Sequence, residues 1–308
     1  MPDPDLQRKR AENLWEPFAR NFAPIARSCS FDAFVGLNVS EIGGLDDAKE
    51  EVLTYACAAT DPQVYERWGT LQPAGLLLIG PSGSGKTMLA QALATLAKTP
   101  FLLVNVPRLV LQLLHASGNA GELLQGWNAI LAELPPVTVY FDELDFANEL
   151  TDGPPRPGLP TGPIGDFLLE LADAVTSADD MLLVGSTSHP DTLSHTFLEP
   201  GRFERLVTVT PSLPGDVIAA LQIHAARAEK SAGRPLFQEL DWVKITDQNR
   251  DASIGNWVRL LHAVLRRKAR CDAAEEDPGP VTTDDFLHEV ERFKKTTNRL
   301  PSSVGRYL

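Results

Sequence analysis

The stretch Gly80-Pro81-Ser82-Gly83-Ser84-Gly85-Lys86-Thr87 decides the reading of this 308-residue chain. It matches the phosphate-loop pattern G-x-x-x-x-G-K-[ST] at every fixed position, and its surroundings suit that pattern. Leu76-Leu77-Leu78-Ile79 before it is a short apolar run that reads as a buried parallel strand, and Met88-Leu89-Ala90-Gln91-Ala92-Leu93-Ala94 after it reads as a helix. Strand, glycine-rich loop and helix start together make an anion cradle. The glycines let backbone N–H groups turn inward around the β- and γ-phosphates. Lys86 adds a point charge there, and the Thr87 hydroxyl is a ligand for Mg²⁺.

A second element agrees with the first. Val137-Thr138-Val139-Tyr140-Phe141 is an apolar, β-rich run followed at once by Asp142-Glu143. An acidic strand end belongs opposite a phosphate loop: Asp142 holds the Mg²⁺ shell and Glu143 orients and polarises the attacking water. Paired carboxylates after a strand often do no more than cap the next helix. On a second hydrophobic strand downstream of a phosphate loop they carry more weight.

Composition narrows the field. With 43% hydrophobic and 22% charged residues the chain has room for one large domain and a smaller one. A formal net charge of −13 makes a poor polyanion binder, which argues against nucleic acid as a partner. The basic run Arg266-Arg267-Lys268-Ala269-Arg270 reads as a solvated helix face or a subunit contact. Cys29, Cys57 and Cys271 are scattered without metal-ligand spacing and read as reduced thiols. No apolar run approaches the roughly 20 residues that span a bilayer, and Met1-Pro2-Asp3-Pro4-Asp5 shows no signal-peptide pattern. The expectation is a cytoplasmic protein with no membrane partner.

Along the chain, residues 1–35 read as a short N-terminal leader. Leu14, Phe18, Phe22 and Ile25 fall at helical spacing, interrupted by Pro17 and Pro24. The leader is either a pair of short helices packing on the main domain or a docking segment. Residues 36–211 alternate strand and helix, with strands expected at 76–79, 101–106, 137–141, 181–185 and 205–209 and helices at 48–59, 86–97, 121–133 and 164–176. Five short apolar strands alternating with helices imply an α/β domain with a five-stranded parallel sheet, whose ligands bind at the C-terminal strand ends. The Pro/Gly run 151–163 reads as irregular and mobile. Residues 212–298 read as helical, with helices at 216–230, 253–270 and 283–295, and Thr282-Thr283-Asp284-Asp285 is a capping-type start for the last. Residues 299–308 read as a flexible tail.

Taken in order, these segments resemble the AAA+ ATPases, and within them the classical AAA clade, over 36–295. Glu41-Ile42-Gly43-Gly44-Leu45-Asp46, followed by Lys49, is similar to the stretch that wraps the adenine. The phosphate loop and Asp142-Glu143 follow. Gly185-Ser186-Thr187-Ser188-His189 resembles the sensor-1 strand end, Leu198-Glu199-Pro200-Gly201-Arg202-Phe203-Glu204-Arg205 the arginine-finger segment, and Ile223-His224 the first small-domain helix. The resemblance implies a P-loop NTPase domain followed by a small all-helical lid. It also implies Mg²⁺-dependent binding and hydrolysis of ATP to ADP in a ring homo-oligomer, usually a hexamer, coupled to remodelling an unidentified protein substrate or adaptor. The residues it assigns to the nucleotide are Ile42, Gly43, Pro81, Ser82, Gly83, Ser84, Gly85, Lys86, Thr87, Met88 and His224. Thr87 and Asp142 go to the metal, Glu143 and Ser188 to catalysis, and Arg202 to the nucleotide of the neighbouring subunit.

The departures from the family pattern are as informative. Sensor 1 is Ser188 where the family usually has Asn, and the first finger position is Glu199 where the clade often has a second Arg. The pore-loop stretch His115-Ala116-Ser117-Gly118-Asn119 lacks the aromatic–aliphatic pair that grips a translocated peptide. Arg259 is either a sensor-2 arginine or a surface residue. These departures keep open a slow, nucleotide-gated assembly or scaffold protein. The terminal Tyr307-Leu308 keeps open a protease activator of the proteasome type, docking through its tail.

Overall fold

The computed structural model describes residues 4–61, 63–115, 120–146, 161–178, 180–250 and 252–297. Their contacts divide them into two compact units. One comprises residues 1–39, 47–80 and 86–209, the other residues 40–46, 81–85 and 210–308.

The first unit is built on one sheet. Its strands are β1 (Cys29–Asp32), β2 (Gly75–Ile79), β3 (Phe101–Asn105), β4 (Thr138–Asp142), β5 (Leu182–Thr187) and β6 (Arg205–Thr208), in the order β1-β3-β4-β5-β2-β6. Five strands are parallel, and β1 runs antiparallel along the β3 edge, pairing Cys29 with Val104 and Asp32 with Phe101. The five expected parallel strands are all present, and β1 adds a sixth strand, antiparallel at the edge. β1 escapes a search for apolar runs because it is an edge strand of four residues alternating between half-buried and exposed.

The helices of this unit follow in chain order: α1 (Pro4–Asn21), α2 (Ala23–Ala26), α3 (Asp46–Thr60), α4 (Gln63–Arg67), α5 (Lys86–Ala97), α6 (Val106–His115), α7 (Ala120–Glu133) and α8 (Thr161–Ser177). Side chains alternate across a strand. Leu77, Val104, Val139, Phe141 and Leu183 share one core with Trp127 and Leu131 of α7 and with Leu168 and Leu171 of α8. The Trp127 indole donates to the Leu171 carbonyl at 3.1 Å, which satisfies its one polar atom inside that core. Leu76 and Leu78 are fully buried on the opposite face, and α5 packs against β4 and β5.

The expected leader belongs to this core. Ala11, Trp15, Phe18 and Ile25 are buried in it, Trp15 stacks on Phe31 of β1 at 5.4 Å, and Phe18 stacks on Phe22 at 5.0 Å. A Cβ added at Gly126 of α7 would sit 2.3 Å from the Phe22 ring, so α7 needs glycine where the N-terminal helices lie on it. The expected loop 151–163 also needs amending. α8 begins at Thr161, with Pro163 in the first turn, where a missing N–H costs nothing. Residues 151–160, most of the pore-loop stretch (116–119) and the Tyr307-Leu308 ending lie outside the described residues.

The second unit gathers α9 (Gly215–Ala232), α10 (Trp242–Thr246), α11 (Ile254–Ala273) and α12 (Thr283–Thr297) around Val217, Leu221, Trp257, Leu261, Val264, Phe286 and Val290. At the start of α12 the Asp285 N–H donates to the Thr282 hydroxyl at 3.2 Å and the Thr282 N–H donates to the Asp285 carboxylate at 3.0 Å, a reciprocal cap. Asp285 also takes Arg267 and Lys268, each at 2.8 Å, so two cations of the basic run are spent inside the unit. Among the described residues, no helix is long and apolar enough to cross a membrane.

Because Phe18 is 6% exposed in the main core, Phe18→Ala should lower the unfolding free energy by about 3 kcal/mol. Chemical denaturation of parent and variant checks this. A loss within about 0.5 kcal/mol is the surface-substitution result and would show the N-terminal helices to be dispensable decoration.

Candidate functional site

Parallel pairing brings three strand ends into one neighbourhood. β2 lies between β5 and β6, Ile79 pairs with Thr187, and β4 lies on the other side of β5 with Phe141 opposite Gly185. The chain therefore leaves β2 at Gly80, β4 at Asp142 and β5 at Thr187 along the same edge, the C-terminal edge where open α/β sheets bind ligands.

Lys86 opens α5 beside this edge and is 8% exposed. Its ammonium donates to the Gly80 carbonyl at 2.6 Å and to the Ser188 hydroxyl at 3.1 Å. Burial holds it below the usual lysine range, while Asp142, Asp145 and Glu143 pull the other way. A cation held in a desolvated place gains from an anion that arrives from outside.

Asp142 ends β4 and receives two hydroxyls on one oxygen, from Tyr140 and from Ser186, both at 2.8 Å. The Tyr140 hydroxyl also lies 3.3 Å from the Thr87 hydroxyl, so Thr87 and Asp142 converge on a single phenol oxygen. Burial pushes the Tyr140 phenol far above its ordinary range, so it acts here as a neutral hydrogen-bonding group. Glu143 is exposed and has φ of 61°, a left-handed conformation that costs a residue with a Cβ about 1–3 kcal/mol. Ser186 holds it there: the Glu143 N–H donates to the Ser186 hydroxyl at 3.1 Å and the Leu144 N–H to the Ser186 carbonyl at 2.9 Å. The backbone thereby leaves the extended conformation at Glu143.

Ser188 is tied down from behind. The buried Asp145 accepts its N–H at 3.3 Å and the ring nitrogen Nδ1 of His189 at 2.8 Å. Sequence reasoning missed Tyr140, Ser186 and Asp145. A signal for Ser186 was present, because a hydroxyl in a fully buried strand needs a partner. Nothing in the chain alone pointed that hydroxyl at Asp142.

The helical unit holds the remaining candidates. Gly83 and Gly85 have φ of 75° and 108°, which side chains rarely adopt, and the Gly255 N–H of α11 donates to the Gly83 carbonyl at 3.1 Å. Gly83 also lies against Ser253, where an added Cβ would approach the Ser253 hydroxyl to 3.0 Å. The Ser84 hydroxyl is buried without a hydrogen-bond partner among the described residues. Pro81 and Ser82 complete this loop, and Met88 follows Thr87 in the first turn of α5.

Asp216, Ala220 and His224 share one face of α9 at i, i+4 and i+8. Asp216 accepts the Leu45 N–H at 3.2 Å, and a Cβ on Gly43 would meet the Ala220 backbone at 2.2 Å. Ile42 is buried beside it. The 42–45 stretch thus runs along the face that carries His224. Burial, with Arg227 and His262 nearby, pulls His224 below the usual histidine range and keeps its imidazole neutral at pH 7. Arg259 is exposed on α11 and donates to Asn256 at 3.3 Å.

Arg202 belongs to the sheet unit and makes four hydrogen bonds there. It donates to both oxygens of Asp173 on α8, through Nε at 2.6 Å and Nη2 at 2.8 Å. Its Nη1 donates to the Thr196 carbonyl at 2.5 Å and to Glu199 at 2.9 Å.

Residues 76–211 match the model of the ATPase family associated with various cellular activities, abbreviated AAA. This segment is an AAA domain. It spans the sheet from β2 to β6, including Asp142-Glu143, Ser188 and Arg202.

The chain as a whole is similar to the ATP-dependent zinc metalloprotease FtsH of Opitutus terrae, 31% identical over 239 residues, which are 76% of this chain and 38% of that protein. It is similar to the proteasome-activating nucleotidase of Methanocaldococcus jannaschii, 27% identical over 273 residues, 87% of this chain and 60% of that one. Protein SAV of Sulfolobus acidocaldarius is 28% identical over 189 residues, 61% of this chain and 24% of its own. The chain therefore spans less than two thirds of each of these relatives.

Ser186 carries a prediction for the AAA domain. Ser186→Ala removes one of the two hydroxyls on Asp142 and the acceptor that holds Glu143 in its left-handed turn. The expected cost is about 1–3 kcal/mol of stability. Chemical denaturation reads it, and an unchanged midpoint would contradict the network described.

Proposed function

We propose that this chain binds ATP with Mg²⁺ and hydrolyses it as a ring of identical subunits, using the cycle to remodel a protein partner. The observation that carries the proposal is the pairing of a desolvated Lys86 ammonium with the convergence of Thr87 and Asp142 on one phenol oxygen. The first suits a phosphate anion, and the second brings together two oxygen donors of the kind a hard cation takes.

In this reading Lys86 and the amides of residues 81–85 receive the phosphates, and Ser84 supplies a further hydroxyl. Thr87 and Asp142 would hold Mg²⁺, which would supply positive charge against the phosphates. Glu143 accepts a proton from the attacking water. Ser188 follows the γ-phosphate through its contact with Lys86. Ile42, Gly43 and a neutral His224 hold the adenosine. Arg202 serves the nucleotide of the next subunit, which makes a ring of copies part of the mechanism.

A second reading, a slow nucleotide-gated assembly protein, is favoured by one observation. Arg202, the sole finger arginine once Glu199 occupies the other position, is bonded within its own subunit.

Lys86→Ala should abolish ATP binding, because the phosphates lose their loop cation. Glu143→Gln should keep binding and lose turnover by about 10²-fold or more. Nucleotide titration and phosphate release measure the two effects, and undiminished turnover in the Glu143 variant would sink the assignment. Light scattering of Glu143→Gln with ATP should show a ring. A strict monomer at high protein concentration would count against assembly.

A further inference from the structure

Arg202 is held by four bonds that all come from its own subunit. A guanidinium has five N–H donors. Asp173 takes two of them side-on, through Nε and Nη2, while the Thr196 carbonyl and Glu199 take the two of Nη1. One N–H remains for anything outside. The charges matter as much as the donors. One cation between two carboxylates makes a cluster of net charge −1, and a γ-phosphate approaching it meets repulsion where a finger should attract.

The cluster is nevertheless easy to open. The side chain of Arg202 is 19% exposed, that of Asp173 42% and that of Glu199 59%. Carboxylates this wet regain most of their hydration when the pair separates, so holding the arginine contributes little net stability. A fully buried pair would be permanent; this one is reversible. Arg202 also follows Gly201, whose φ of 87° and open surroundings set the arginine on an exposed turn.

We propose that Asp173 and Glu199 form a latch on Arg202 that withholds its guanidinium from a neighbouring subunit's nucleotide until the latch opens. Asp173 is the main positioning residue because it binds two edges of the fork, and Glu199 is the auxiliary one. The inference rests on the ATPase reading above and adds a regulated step to it: release of Arg202 limits turnover in the assembled ring.

The test uses the full chain at a concentration where the ring forms. Asp173→Asn, Glu199→Gln and the double variant are each made with and without Arg202→Ala. Two readouts are taken: steady-state phosphate release, and the rate at which phenylglyoxal labels Arg202, followed by peptide mass spectrometry. Opening the latch should speed labelling of Arg202 and raise turnover, by about five-fold in the double variant, a modest part of what a freed finger can supply. Arg202→Ala should erase the gain.

The proposal is overturned if labelling is unchanged, if turnover is unchanged or lower while labelling rises, or if the rise survives Arg202→Ala. Glu199→Gln alters only an exposed group and keeps the test decisive should Asp173→Asn fold poorly. Parent and Glu143→Gln run alongside. If neither the parent nor any latch variant shows Glu143-dependent release, the ATPase reading has failed and the regulatory step falls with it. Release in the parent that ignores both carboxylate substitutions overturns the latch alone.

Discussion

A desolvated ammonium at the edge of a parallel sheet is the constraint around which the AAA domain is arranged. Lys86 lies where water cannot solvate it well, and it donates to the Gly80 carbonyl and the Ser188 hydroxyl. That placement requires β2 and β5 to be neighbours in register, so that the chain leaving Ile79 and the chain leaving Thr187 arrive together. It also requires carboxylates near enough to offset part of the burial, as Asp142, Asp145 and Glu143 do. Two hydroxyls engage one oxygen of Asp142, and a backbone N–H and an imidazole engage Asp145.

The same economy explains the strained Glu143. In a strand that simply continued, this side chain would stand roughly perpendicular to the sheet. The left-handed turn, anchored on the side chain and carbonyl of Ser186, redirects it. One buried serine on β5 therefore bonds both Asp142 and the backbone of Glu143. Removing a group that serves two neighbours is not additive with removing either neighbour.

The finger segment follows a different logic. Its arginine has four of its five N–H groups bonded within the chain, and one of the carboxylates that take part, Glu199, occupies the position where the clade often carries a second arginine. A charge reversal that looks in the sequence like a lost catalytic group is, in the structure, an intrasubunit partner for the arginine that remains. The substitution and the contact are one feature.

The sequence by itself was enough for the phosphate loop, the acidic strand end, the order of most strands and helices, and the all-helical second part. Those depend on local patterns: glycines where φ is positive, apolar runs of strand length, amphipathic helical spacing. It was not enough for β1, whose half-exposed residues carry no periodic signal, and it left open whether the N-terminal helices pack on the domain or serve as a docking segment, because their burial against α7 and β1 comes from contacts far along the chain. Nor could it show which acid meets which hydroxyl. Asp173 lies 29 residues from Arg202 and on a different element. Only the packing of α8 beside the finger turn brings them within hydrogen-bonding distance, because a side chain's partner is chosen by where its backbone is placed and not by its neighbours in the chain.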